Sequence, residues 1–442
     1  MFFETSWVRD NRTKLSELLT KELIGTYRPG KWEPCFATRP IRSLKHLIKE
    51  IPVVVQLDPE HWVTALNTDN LGGTLRCSIN HRLDFIGGFS TTISVKALRM
   101  LTNHKAVLKV WLDREINAFL DVASPVVKAP QVWESGGTGE GIGIAILDTG
   151  IYPHPDLTSP TNRIVAFKDF VNGRQSPYDD NGHGTHCAGD AAGNGGKSAG
   201  KYKGPAPAAK LVGIKVLNKQ GSGSMSNLLA GIQWCINNKD RYRIKILSMS
   251  LGGKATVSAR EDPLCQAVGK AWRSGIVVCA AAGNEGPGAR TISSPGIEPV
   301  IITVGAFDDK NTKNTGDDVI AGFSSRGPTI DGLTKPDVAA PGANVISLLS
   351  PNSYIGKTNK KLRVGRWYIS LSGTSMATPV CAGVVALILE KCPGMTPGDV
   401  KKLLTSKCKT VSGLPNAEGA GRIDALASVN NCKGAVNKKK ID

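Results

Sequence analysis

The chain has no run of some eighteen apolar residues, so no segment reads as a membrane-crossing helix. It has no Cys-x-x-C pair either, which removes the usual spacing of a structural zinc site or a redox dithiol. Ten cysteines stand singly, at Cys35, Cys77, Cys187, Cys235, Cys265, Cys279, Cys381, Cys392, Cys408 and Cys432. Several fall in apolar segments, so free thiols in a reducing compartment are expected, with a bridge in the C-terminal quarter left open. The start, MFFETSWVRDNRTKLSELL, places Glu4, Arg9 and Asp10 where a secretory signal needs its apolar core. A cytoplasmic location is therefore expected, with non-classical export as the alternative.

Acidic residues are scarce beside basic ones: 37 against 55, a formal net charge of +18. Such a balance favours anionic partners through long-range attraction. The basic residues are nevertheless scattered, apart from Lys357 to Arg366 and Lys438 to Lys440, and no nucleic-acid motif with interleaved aromatics occurs. A solvated basic surface is expected, with neither nucleic acid nor membrane as partner.

With 442 residues, 40% of them hydrophobic, the chain can build two or three units with ample core. Residues 1–48 read as an N-terminal helical extension: Leu15, Leu18, Leu19 and Ile24 stand near helical spacing and Gly25 is a stop. Residues 49–120 read differently. Ile51 to Leu57 is a strand, His61 to Leu66 a short helix, Phe85 to Ser94 a bent strand, Val95 to His104 a helix and Ala106 to Leu112 a closing strand. That order predicts a small α+β module, ferredoxin-like, followed by a connector from Asp113 to Pro125.

Beyond Pro130, strands and helices alternate. Gly141 to Leu147, Leu211 to Leu217, Ile244 to Ser250, Gly275 to Ala281 and Val300 to Val304 read as buried strands, with helices at Ser226 to Asn237 and Asp262 to Arg273. An α/β class is expected over 121–432: a mainly parallel sheet with helices on both faces, then a basic tail at 433–442. In such sheets function gathers at the carboxyl ends of strands.

Four polar segments fall at such ends or at helix starts. Asp148-Thr149-Gly150 closes the first strand, and Asp148 alone would be a turn cap. Asp180 to Gly189 carries His183 between glycines, and His186 three residues on suggests zinc ligation only if a third ligand exists. Ala280 to Gly286 ends a strand and displays Asn284, which alone would mark a turn. Ser372 to Pro379 runs into the apolar helix Val380 to Leu389, and Thr374 or Ser375 alone would be its cap. A hydroxyl at a helix's first turn also lies beside backbone N–H groups that lack intrahelical partners. Pro379 is placed within that first turn, where no N–H is needed.

Together these segments resemble the subtilisin family of serine endopeptidases over about residues 120 to 430. DTGI, HGTHCAG, SMSLGG, AAAGNEG, FSSRGP, KPDVAAPG and GTSMATP carry the likeness, and the whole chain looks most like signal-less alkaline subtilases of Bacillus-type bacteria. The resemblance implies broad protein hydrolysis with Ser375 as nucleophile, His183 as general base and acid, Asp148 holding the imidazole, and Asn284 with the Ser375 N–H binding the oxyanion. It implies substrate rails at Gly221, Ser222, Gly223 and Ser224 and at Ser250, Leu251, Gly252 and Gly253, on which an extended peptide adds as a strand. Ala281, Ala282 and Gly283 would leave a roomy first pocket for apolar or aromatic side chains, and Glu285 at its mouth would admit Lys.

No cofactor is expected for the chemistry. Asp156 matches a calcium ligand of many relatives, but the loop Gly193 to Gly204 (GNGGKSAGKYKG) brings three lysines in place of an Asn-rich ligand loop, and Asp156 equally suits a turn cap. The resemblance implies that the module at 49–120 is the family's propeptide, an intramolecular inhibitor cut near Phe119 to Val122. Cys187 resembles the thiol of the mercury-sensitive branch. Ser353 to Arg366 reads as an added basic hairpin near the cleft rim, favouring acidic substrates or simply solvated. The alternative to a working enzyme is a permanently plugged, inactive relative that serves as a binding protein.

Overall fold

The computed structural model describes residues 6–26, 50–58, 79–113, 115–118, 125–310, 312 and 315–438. The expected helix at His61 to Leu66 and the expected cut at Phe119 to Val122 lie outside them.

Two compact units divide the chain, one of residues 1–114 with 224–230, the other of 115–223 with 231–442. In the first, four antiparallel strands run in the order Ile79–Leu83, Gly88–Ser94, Glu50–Leu57, Val107–Leu112. The helix Val95–Thr102 starts at Ser94, whose side chain accepts the Ala97 N–H, and it buries Val95, Leu98 and Leu101. The expected division at residue 48 does not separate two cores. Leu15, Leu19 and Leu23 pack with Val53, Val55 and Val110, and Leu15 bridges Val110 through flanking backbone hydrogen bonds. A five-residue and a ten-residue helix, Ser6–Asp10 and Glu17–Thr26, are too short to stand alone and take their stability from this shared core.

The second unit holds the parallel sheet. Its order is Val319–Ile320, Ile302–Asp308, Val277–Ala281, Ile244–Met249, Gly143–Asp148, Lys210–Lys215, Ile164–Asp169, with Val338–Pro341 also pairing Ile302–Asp308. All pairings are parallel save that of Val319–Ile320. Side chains alternate along a strand, so Ile144 and Ile146 share one core with Val380 and Val384, while Leu147 meets Gly231 of the helix Met225–Asn238 on the other face. Helices thus cover both faces, as the α/β pattern predicts. The helix Pro263–Arg273 begins where expected because Asp262 accepts the Leu264 and Cys265 N–H groups and Pro263 needs no donor at the first position.

The helix Thr374–Lys391 is buried from Thr374 to Leu389. By length and composition it could cross a bilayer, yet 89% of it is enclosed by this unit's own core. Pro379 is its sixth residue, not part of the first turn as the sequence suggests. The missing N–H therefore withdraws a donor from the Ser375 carbonyl, and other groups take it up. At the far end, Cys392 is bridged to Cys432 of the helix Ala425–Lys438, with Cα atoms 6.3 Å apart. That corrects the free-thiol expectation for this pair, and the helix carries the chain past the expected start of a tail at 433.

Candidate active site

Asp148 ends the strand Gly143–Asp148 and is wholly buried. Its Oδ1 accepts the Thr149 N–H at 2.7 Å and lies 2.7 Å from His183 Nδ1. His183 opens the helix His183–Ala192, which sits so tightly on the turn after Asp148 that a Cβ on Gly184 would stand 2.2 Å from the Gly150 carbonyl oxygen. Glycine there brings imidazole and carboxylate together.

A second carboxylate sets this turn. Asp179 accepts the Gly182 N–H at 2.8 Å, the Thr185 N–H at 2.8 Å, and the Thr149 and Thr185 hydroxyls at 2.9 and 2.6 Å. Thr149 in turn accepts the Gly184 N–H at 2.9 Å. Beneath it, the buried Lys215 donates to the carbonyls of Thr149 and Leu217 at 2.7 and 2.9 Å and to Asp180 at 2.8 Å. Neither Asp179 nor Lys215 stands out in the sequence. The one signal for Lys215 is a lysine inside the apolar strand LVGIKVL, a placement that requires satisfied donors.

Ser375 is the second residue of the helix Thr374–Lys391, also buried. Its hydroxyl donates to the Ser250 carbonyl at 3.2 Å, and the Ser250 hydroxyl donates back to the Ser375 carbonyl that Pro379 leaves without a donor. Cys187 lies beside the same carbonyl, with Sγ 3.6 Å from it, 3.8 and 3.9 Å from the two ring nitrogens of His183 and 3.8 Å from Asp148 Oδ2. Its sulfur touches both the imidazole and the turn that carries Ser375. Burial, then the Asp148 and Asp190 carboxylates, push the Cys187 thiol well above the usual range, so it stays protonated.

Asn284 is held by its amide oxygen, which accepts the Thr374 N–H at 2.9 Å and the Thr374 hydroxyl at 3.1 Å. With its oxygen bound there, the amide directs its NH₂ branch away from Thr374. Thr374 Oγ1 also accepts the Gly283 N–H at 3.2 Å, where Gly283 takes φ +111°. Ala281, Ala282 and Gly283 are buried behind Asn284, and Glu285 is exposed. Thr374 therefore ties the loop after the strand Val277–Ala281 to the start of the helix that carries Ser375, beyond the capping role its position suggests.

The two expected rails are strands. Leu251–Lys254 and Ser222–Ser224 flank the segment Glu115–Ala118 in one four-stranded sheet, with Ser293–Ser294 on the outer side of Leu251–Lys254. Ala118 stands opposite Leu251 and Asn117 opposite Gly252, antiparallel. Gly221 enters the other rail at φ +86°.

Two metal positions that the sequence raises only as doubtful alternatives are otherwise engaged. His186 is no zinc partner of His183, because its Nδ1 lies 2.8 Å from Asp190 and its Nε2 3.2 Å from the Ile369 carbonyl. Asp156 does not fit calcium. One carboxylate oxygen accepts the Lys197 N–H at 2.9 Å, the other the Tyr368 hydroxyl at 2.7 Å, and the Arg163 guanidinium binds its backbone carbonyl. A cation needing six to eight oxygens meets hydrogen donors here.

Residues 139–421 match the subtilase family profile. The chain belongs to the subtilase family. It is 47% identical over 435 residues to a serine protease, AprX, of Bacillus subtilis (strain 168), covering 96% of this chain and 97% of that one. It is 38% identical to subtilisin Savinase of Lederbergia lenta, over 68% of this chain and 96% of that subtilase. Among solved structures, fervidolysin of Fervidobacterium pennivorans, a keratinolytic enzyme related to subtilisin, superposes with TM-score 0.67 at 24% identity over 86% of this chain. This chain spans 61% of fervidolysin's length, and that likeness speaks to the subtilase fold alone. The chain is thus a serine protease of this family.

Proposed function

We propose that this subtilase is an endopeptidase of broad specificity whose reacting groups are Ser375, His183 and Asp148. Ser375 attacks the scissile carbonyl after its hydroxyl turns from Ser250 towards the imidazole. His183 takes that proton and gives it to the leaving amine. Asp148 keeps Nδ1 as the protonated nitrogen. The Asn284 NH₂ and the Ser375 N–H would bind the oxyanion, an interaction for which subtilisin itself is the measured case, at about 2.7–4 kcal/mol. The 2.7 Å contact between His183 Nδ1 and Asp148 Oδ1, beside the nucleophile turn, carries this reading. No step calls for a cofactor, and none is routed through calcium.

The seat of Glu115–Ala118 between the rails supports a precursor reading in which the preceding residues act as propeptide and inhibitor and are removed by self-cleavage. The same seat is what a permanently plugged relative would have. One experiment separates them. An organophosphate is added to purified protein, the labelled residue is mapped, and the new amino terminus is sequenced. Label on Ser375 with a shortened chain, and one uncut, unlabelled chain from Ser375→Ala, is the expected outcome. An unlabelled wild type that stays full length favours the binding protein.

A further inference from the structure

The segment Ser353 to Arg366 is fastened to the turn that delivers the catalytic histidine. The Tyr354 N–H donates to the Asp180 carbonyl at 2.8 Å and the Ile355 N–H to the Asn181 carbonyl at 2.9 Å, while Ile355 is buried. A Cβ on Gly182 would stand 2.7 Å from Ser353 Oγ, so the two loops lie in close contact one residue before His183. From this anchor the helix Tyr354–Thr358, a short turn at Lys360–Leu362 and the strand Arg363–Val364, paired with Tyr368–Leu371, form an arch.

Lys357, Lys360, Lys361, Arg363 and Arg366 are all exposed on this arch. No Asp or Glu occurs between Asp337 and Glu390. Among the described residues none of the five cations forms an ion pair. Arg363 donates to the Gly356 carbonyl at 2.9 and 2.7 Å, and Arg366 stacks on Trp367 at 4.9 Å, which stiffens the arch without neutralising it. Asp180, the acid nearest the anchor, is engaged by Lys215.

The rails define direction. Ala118 opposite Leu251 places the carboxyl-terminal end of a bound strand next to Ser250, whose carbonyl receives the Ser375 hydroxyl. A leaving amine that takes its proton from His183 is next to the turn at 180–182, to which the arch is fastened. We propose that this arch is a specificity element that selects acidic residues on the leaving-group side of the scissile bond. The proposal rests on the endopeptidase reading. Unpaired lysines beside a cleft raise the local concentration of anionic peptide and speed its capture, an effect that salt screens.

The test uses matured enzyme and internally quenched peptides identical before the scissile bond, with three alanines or three aspartates after it. The aspartate peptide is expected to show about tenfold higher kcat/KM at 0.05 M NaCl. That advantage should vanish at 0.5 M NaCl and in Lys357→Ala/Lys360→Ala/Lys361→Ala. It should survive in the equal-charge control Lys402→Ala/Lys407→Ala/Lys409→Ala, beyond the far end of the nucleophile helix. An unchanged rate on the alanine peptide reports that the triple variant is folded. Equal rates on both peptides by wild type, or an advantage that persists in the arch variant, overturn the proposal. Cleavage of neither peptide overturns the endopeptidase reading instead, and the arch proposal with it.

Discussion

Asp148 with His183 and Asp156 with His154 are two buried carboxylate–histidine pairs in the same unit, and they behave oppositely. At the first, Nδ1 faces a carboxylate oxygen at 2.7 Å and the ring lies against the Cys187 sulfur, which also touches the Ser375 carbonyl. At the second, His154 Nδ1 accepts the Asp156 backbone N–H at 3.1 Å, Nε2 donates to the Trp367 carbonyl at 3.1 Å, and the carboxylate is 3.9 Å away. Burial pushes His154 down, towards the neutral ring that this pairing requires. A histidine whose nitrogens are both committed to backbone is a strut. Chemistry depends on which partners the ring has, more than on having an acid nearby.

The largest expected effect contrasts the two acids. Asp148→Asn should lower kcat by about four orders of magnitude through loss of the correct tautomer, while the fold persists. Asp156→Asn should leave kcat near wild type and lower Tm by several degrees, because the Lys197 N–H and Tyr368 hydroxyl lose a charged acceptor. A comparable kcat loss in both would erase the distinction. Chelation sharpens it: if calcium raised Tm in wild type but not in Asp156→Asn, the strut would be a metal site after all.

Next in size is Asn284→Leu, expected to cost about 10²–10³-fold in kcat with KM little changed, the range known from subtilisin. A KM effect alone would assign Asn284 to substrate holding. Cys187 comes third. A mercurial on its sulfur, between imidazole and nucleophile turn, should abolish most activity, while Cys187→Ala stays active and resistant. Full activity of labelled wild type would count against that placement.

The smallest effect concerns pH. Lys335 is buried, donates to the Ile301 carbonyl, Thr303 and Asp337, and burial pulls it down to about 8. The unfolded chain, with lysine near its ordinary value, binds more protons between pH 8 and 10.5, so this residue's contribution rises with pH across that window. Lys335→Met should flatten the stability curve there and leave its shape below pH 8 unaltered, as read by denaturant unfolding at several pH values. An unchanged slope would show that Asp337 fully offsets burial.

The strand ends carrying Asp148 and Asn284 and the helix starts carrying His183 and Ser375 were legible because short glycine-rich motifs interrupt long apolar runs. Strands Ile164–Asp169 and Val338–Pro341 were not, since IVAFKD mixes polar residues into an outermost strand and VAAP is too short to show a period. Asp179 looked like any loop acid. Pro379 lies deeper than the first turn because the helix already begins at Thr374, and the position of Asp156 in the chain says nothing about the donors that surround it.

By itself the order of residues determined the chemistry available: a hydroxyl, an imidazole, a carboxylate and an amide, each at a junction where backbone groups lack regular partners. Only the tertiary structure decided which histidine faces a carboxylate beside Cys187, which one backbone groups hold, and that a basic insert is fastened to the turn before His183. Those outcomes depend on contacts between segments tens to hundreds of residues apart, where burial makes each donor find an acceptor, and no local pattern encodes that pairing.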